Sequence, residues 1–157
     1  EVQTGLGRTG KLWGVDHWNV EPDIMCVAKS LGGGLMPMGA FMGRGEIWKA
    51  FEDPNPFVHT TTTGGNPMGC AAAIAAIHVT LRDKLADRAA EMGSYFMGEV
   101  NKIASEFPQI YSKVTGRGLL IGNHFKTPEI GYHVASGLFK RKVLVAGTLL
   151  SATTVRF

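Results

Sequence analysis

The strongest periodic pattern lies in the middle of the chain. Leu85, Ala89, Met92, Phe96, Val100, Ile103 and Phe107 recur at three- and four-residue steps with polar residues between them. That spacing predicts an amphipathic helix, and Pro108 predicts its end, because proline has no N–H to donate. Upstream, Asn66-Pro67 reads as a helix start, with asparagine as the cap and proline at the first helical position. Ile74, Ile77 and Leu81 continue that helix to about Arg82. The run Ile24-Met25-Cys26-Val27-Ala28 is apolar without alternation, which predicts a strand buried on both faces, as in a parallel sheet. Residues 37–43, PMGAFMG, suit a second short strand. Later segments read as strands over 118–122, 143–146 and 153–157, with a short helix over 129–141. No internal repeat is visible. The outline is a Gly-rich α/β piece, a long connecting helix and a small α+β piece.

Composition narrows the class. Of 157 residues, 45% are hydrophobic and 18% charged, enough apolar material for a packed core. Every apolar stretch is broken well before the roughly 18 residues a membrane span needs. No charged segment leads into an apolar run at the N-terminus, so a cytoplasmic location is expected. Cys26 and Cys70 stand singly, which favours neither a disulfide framework nor a metal site. The net charge of +3 is scattered except at Lys140-Arg141-Lys142, and no basic stripe interleaved with aromatics points to nucleic acid. Glycine is unusual at 21 residues, nearly twice the usual share of about 7%. The chain also opens at Glu1 without methionine and stops at Phe157 inside a strand-like run, as an excised piece of a longer protein would.

Lys29 is the most informative single residue. It follows the apolar run directly and precedes Gly32-Gly33-Gly34. Ligands of open α/β sheets bind outside the carboxyl ends of the strands. A lysine desolvated there would lean towards the neutral amine, the nucleophile of Schiff-base chemistry. A solvated lysine on a connecting loop is the plainer reading. The glycine triplet matches neither a dinucleotide fingerprint nor a P-loop, which weakens a nucleotide-binding module as an alternative. The stretch His59-Thr60-Thr61-Thr62-Thr63-Gly64-Gly65-Asn66-Pro67 runs hydroxyls and glycine N–H groups into a helix start, a natural place for a phosphate. His17, His78, His124 and His133 have no metal-ligand spacing and read as packing or surface residues.

Three motifs in order carry a resemblance. Glu1-Val2-Gln3-Thr4-Gly5-Leu6-Gly7-Arg8-Thr9-Gly10, Pro22-Asp23-Ile24 leading to Lys29, and Gly64-Gly65-Asn66-Pro67 closely resemble the class III pyridoxal-phosphate aminotransferases. The resemblance implies a fold-type I, α/β transferase. Residues 1–85 would be the later part of the large cofactor-binding domain with its mainly parallel sheet, and residues 86–157 most of the small α+β domain. It implies pyridoxal 5'-phosphate as cofactor, with Lys29 as the lysine that binds it covalently. Gln3 would meet its phenolic oxygen, and Thr62 the phosphate of the neighbouring subunit's cofactor in a homodimer with shared sites. Arg156 would pair with a substrate carboxylate. The family's aspartate for the pyridine nitrogen would immediately precede Glu1, so residues 1–157 alone are expected to be inactive.

Within the family, two stretches resemble putrescine aminotransferase most: Glu129-Ile130-Gly131-Tyr132 with Val143-Leu144-Val145-Ala146-Gly147-Thr148-Leu149, and Asn55-Pro56-Phe57-Val58-His59-Thr60-Thr61-Thr62. The implied reaction moves an amino group from putrescine to 2-oxoglutarate, giving 4-aminobutanal, which cyclises to 1-pyrroline, and glutamate. Acetylornithine, ornithine and 4-aminobutyrate aminotransferases are the family alternatives. A catalytically inactive assembly subunit is the alternative outside enzymology, and the presence of Lys29, Gln3 and Thr62 speaks against it.

Overall fold

A computed structural model describes residues 1–147 and 151–157. These divide into two compact units, Glu1–Ala86 and Asp87–Phe157. Among the described residues no helix is long and apolar enough to cross a membrane.

In the first unit, strand β1 (Ile24–Ala28) pairs antiparallel with β2 (Gly39–Gly43), Val27 facing Ala40 and Cys26 facing Phe41. The expectation of a parallel strand buried on both faces is therefore corrected. The ten residues from Lys29 to Met38 form a tight return, and a short return can join only antiparallel neighbours. One face of β1 is covered. Val27 packs with Leu31 and with Ala73 of helix α2 (Pro67–Arg82), flanked by Leu6, Trp13, Met25, Met38 and Ile77. On the other face Ile24 is 55% exposed, so the apolar run alternates in burial although not in sequence. Helix α1 (Gly45–Trp48) follows β2. Helix α2 starts where Asn66-Pro67 predicts: Asn66 Oδ1 accepts the N–H of Gly69 at 3.0 Å, satisfying one of the orphan donors of the first turn.

Helix α3 (Leu85–Glu106) opens close to the junction of the two units and ends before Pro108, as its periodicity predicts. The second unit then builds a four-stranded antiparallel sheet in the order β3-β4-β6-β5. Its strands are β3 (Tyr111–Arg117), β4 (Leu120–Phe125), β5 (Ala146–Gly147) and β6 (Thr154–Arg156), with helix α4 (Pro128–Lys140) between β4 and β5. The strand expected over 118–122 is found as β4, which starts two residues later, at Leu120. Gly118 and Leu119 form the turn of the β3–β4 hairpin, and Gly118 has φ +52°. Strand β3 escaped the pattern because YSKVTGR is an exposed edge strand whose polar residues hide the alternation. Val143, Leu144 and Val145 lie outside any strand. Thr148 and Leu149, part of the stretch that resembles putrescine aminotransferase, lie outside the described residues.

One face of this sheet is the core: Ile121, Phe125 and Val155 are buried, and Tyr111 packs on Phe125 with ring centres 4.9 Å apart. Asn123 sits among them, 1% exposed, and its Nδ2 has no hydrogen-bond partner among the described residues. An unmet buried amide N–H costs about 1–3 kcal/mol. Asn123→Leu, similar in size, is expected to stabilise the protein by about 1 kcal/mol, read as a higher denaturant midpoint. A lower midpoint would mean that the amide is needed.

Candidate active site

Lys29 stands at the carboxyl end of β1, opens a short 3-10 turn (Lys29–Gly32) and is exposed. Its φ of +52° is left-handed, a region that costs a side-chain-bearing residue roughly 1–2 kcal/mol. The turn is nonetheless fixed. Leu31, two residues on, is 6% exposed in the core, and burying a leucine contributes roughly 2 kcal/mol. Gly33, at φ +64°, closes the turn through its N–H to the carbonyl of Ser30 at 3.0 Å. The desolvation expected for Lys29 is not supplied by this unit; what it supplies is a fixed backbone that holds the amine at the strand end.

Thr62 lies exposed on the loop that enters α2. Two anchors shape that loop. At its far end the Asn66 N–H donates to the carbonyl of Thr63 at 3.3 Å, ahead of the cap on Gly69. At its near end His59 sits edge-on to Phe41 and Phe51, with ring centres 5.6 and 5.7 Å away, while Phe41 stacks on Trp48 at 5.1 Å. This aromatic group was missed in the sequence. Its one local signal was the three-residue step from Trp48 to Phe51; Phe41 joins only through strand pairing. Gln3 is exposed on the N-terminal turn. Gln3, Lys29 and Thr62 thus belong to the first unit.

Arg156 belongs to the second. On β6 it is paired across with Gly122 on one side and Ala146 on the other, so small residues flank its stem. Register places Lys113, Thr115 and Arg117 of β3, His124 of β4 and Thr154 of β6 on the same face, opposite the core. His124 bridges the strands, its Nε2 2.8 Å from Thr115 Oγ1 and its Nδ1 3.0 Å from Thr154 Oγ1. Burial, helped by the charge of Lys113, lowers the pKa of His124, so the imidazole is neutral at pH 7. His124 is therefore a cross-strand link rather than a packing residue. Among the described strands of this sheet none carries an aspartate or glutamate, and Lys113, Arg117 and Arg156 are the charged residues of this face.

Known proteins share the sequence family and the fold of this chain. The family model "Aminotransferase class-III" matches residues 1–150. The chain belongs to the class III aminotransferases. Ornithine aminotransferase from Toxoplasma gondii is 36% identical with a TM-score of 0.91, over 100% of this chain and 36% of that one. Acetylornithine aminotransferase from Elizabethkingia anophelis is 34% identical with a TM-score of 0.89, over 100% of this chain and 38% of that one. Ornithine aminotransferase from Plasmodium yoelii is 31% identical with a TM-score of 0.87, over 99% of this chain and 40% of that one. The chain thus spans well under half the length of these relatives. Its mixed α/β fold is that of the fold-type I pyridoxal-phosphate enzymes. The cofactor of this class III aminotransferase family is pyridoxal 5'-phosphate, and a second T. gondii ornithine aminotransferase structure has PLP in partial occupancy at its active site. The chemistry of the first unit suits such a group: Lys29 offers a primary amine for an aldehyde and Gln3 an amide for a phenolic oxygen, while Thr62 offers a hydroxyl for the phosphate of a second copy's cofactor.

Proposed function

We propose that the protein carrying this chain is a pyridoxal-phosphate aminotransferase that passes an amino group from putrescine to 2-oxoglutarate. The observation that carries the catalytic part is Lys29 itself. It stands exposed at the end of β1 on a turn fixed by Leu31 and Gly33, and it matches the lysine of the family motif that opens at Pro22-Asp23-Ile24.

When bound, the cofactor supplies an aldehyde for amino groups and a ring that accepts electron density. Lys29 Nζ would hold it at rest. Once freed by the incoming amine, the same Nζ would be the base that takes a proton from the carbon bearing the donor's amino group and the acid that gives it back. Gln3 would orient the cofactor through its phenolic oxygen. Thr62 would bind the phosphate of the partner subunit's cofactor, which would make the working unit a homodimer. Arg156 forks onto a carboxylate of 2-oxoglutarate, and the positive face around it favours an anionic acceptor.

The donor reading rests on the two stretches that resemble putrescine aminotransferase. The ornithine enzymes among the relatives are chemically close, because putrescine is ornithine without its carboxylate and offers the same terminal amine. Donors presented one at a time to the loaded full-length protein, without keto acid, separate the readings. Putrescine is expected to convert the bound cofactor to its amino form fastest, with cadaverine slower. A faster conversion by ornithine, N-acetylornithine or 4-aminobutyrate would move the assignment to that enzyme and leave the family unchanged.

A further inference from the structure

Glu1 has no place in the reading above, yet its carboxylate is the best-served polar group of the first unit. Oε2 accepts the Thr4 hydroxyl and the Gly14 N–H, the latter at 2.9 Å; Oε1 accepts the Val15 N–H at 2.9 Å. The Glu1 carbonyl accepts the Gly5 N–H at 3.0 Å, closing the turn on which Gln3 sits. The far side is equally fixed, since the Trp13 N–H donates to Asp16 Oδ2 at 2.9 Å. Close approach is a condition of this arrangement. A Cβ on Gly14 would fall 2.9 Å from Thr4 Cβ and 3.1 Å from Glu1 Oε2, and one on Gly5 would fall 2.9 Å from the Trp13 ring. Burial works to raise the pKa of Glu1, and the bonds from Thr4, Gly14 and Val15 lower it.

We infer that Glu1 is a positioning residue for Gln3: its carboxylate ties the turn of residues 1–5 to the backbone of Gly14 and Val15, so that the Gln3 amide is presented to the cofactor in one place. The inference rests on the reading of Gln3 as a cofactor ligand. It requires Glu1 to act through Gln3 and not through stability alone.

The test is a double-mutant cycle in the full-length protein, read as the dissociation constant and absorption maximum of added pyridoxal phosphate, with the thermal midpoint of the apoprotein alongside. Gln3→Ala is expected to weaken binding about tenfold and to shift the absorption, as the loss of one hydrogen bond to a charged oxygen would. Glu1→Ala should do the same to a similar degree, and the double variant should lose no more than either alone. Thr4→Val, which removes one donor without opening a cavity, is expected to weaken binding about threefold, with Thr4→Ser restoring it. If Glu1→Ala does not fold, the Thr4 pair combined with Gln3→Ala decides the same point. The inference is overturned if Glu1→Ala lowers the thermal midpoint but leaves affinity and absorption unchanged. It is equally overturned if the double variant loses the product of the two single factors. If Gln3→Ala is silent, the role given to Gln3 falls and the inference with it.

Discussion

Lys29→Ala is expected to lower transamination by the full-length protein roughly 10⁴-fold or more, because one amine both holds the cofactor and moves the proton. The fold should not suffer. Lys29 is exposed, and its turn is held by Leu31 and Gly33, not by its own side chain. Alanine keeps the left-handed cost at φ +52°, whereas glycine removes it. Lys29→Gly is therefore expected to be as inactive as Lys29→Ala but at least as stable as the parent protein. That pair separates chemistry from folding. Turnover retained in either variant would take Lys29 out of the mechanism.

The second large effect concerns Arg156 and splits the reaction in two. A diamine donor has no carboxylate, so the guanidinium is idle in the first half and engaged in the second. Truncating one partner of a charge pair that has left water costs about 2–5 kcal/mol, or roughly 30- to 4,000-fold. Arg156→Ala is thus expected to slow the half-reaction with 2-oxoglutarate about 10²-fold and to change the half-reaction with putrescine by less than about threefold. Single-turnover kinetics on each half check this. If the enzyme instead prefers N-acetylornithine or 4-aminobutyrate, and Arg156→Ala slows both halves alike with that donor, the diamine assignment fails.

Helices were the legible part of the fold, for identifiable reasons. Helix α2 announced itself through Asn66-Pro67, and α3 through a seven-position apolar stripe ended by Pro108. Strands were harder because their burial is decided by partners distant in sequence. The apolar run of β1 is a case in point: it carries apolar side chains on both faces, but within its unit α2 covers only the face with Val27. Strand β3 failed in the opposite direction, since Lys113, Thr115 and Arg117 are the exposed side of an edge. At the site, Lys29 was legible from its place after an apolar run and before glycines. The bonds of Glu1 to Gly14 and Val15 were not, because backbone N–H groups 13 and 14 residues away leave no mark in a sequence. The bridge of His124 between Thr115 and Thr154 was hidden for the same reason: three strands must be in register before it exists.

The most direct measurement is to reduce the cofactor-loaded full-length protein with borohydride, which fixes cofactor held by an amine, and then to locate the modified residue by peptide mass analysis. Modification at Lys29 alone is the outcome that this structure calls for. Cofactor fixed to a different lysine, or none fixed in a protein that still transaminates, would contradict the assignment of Lys29.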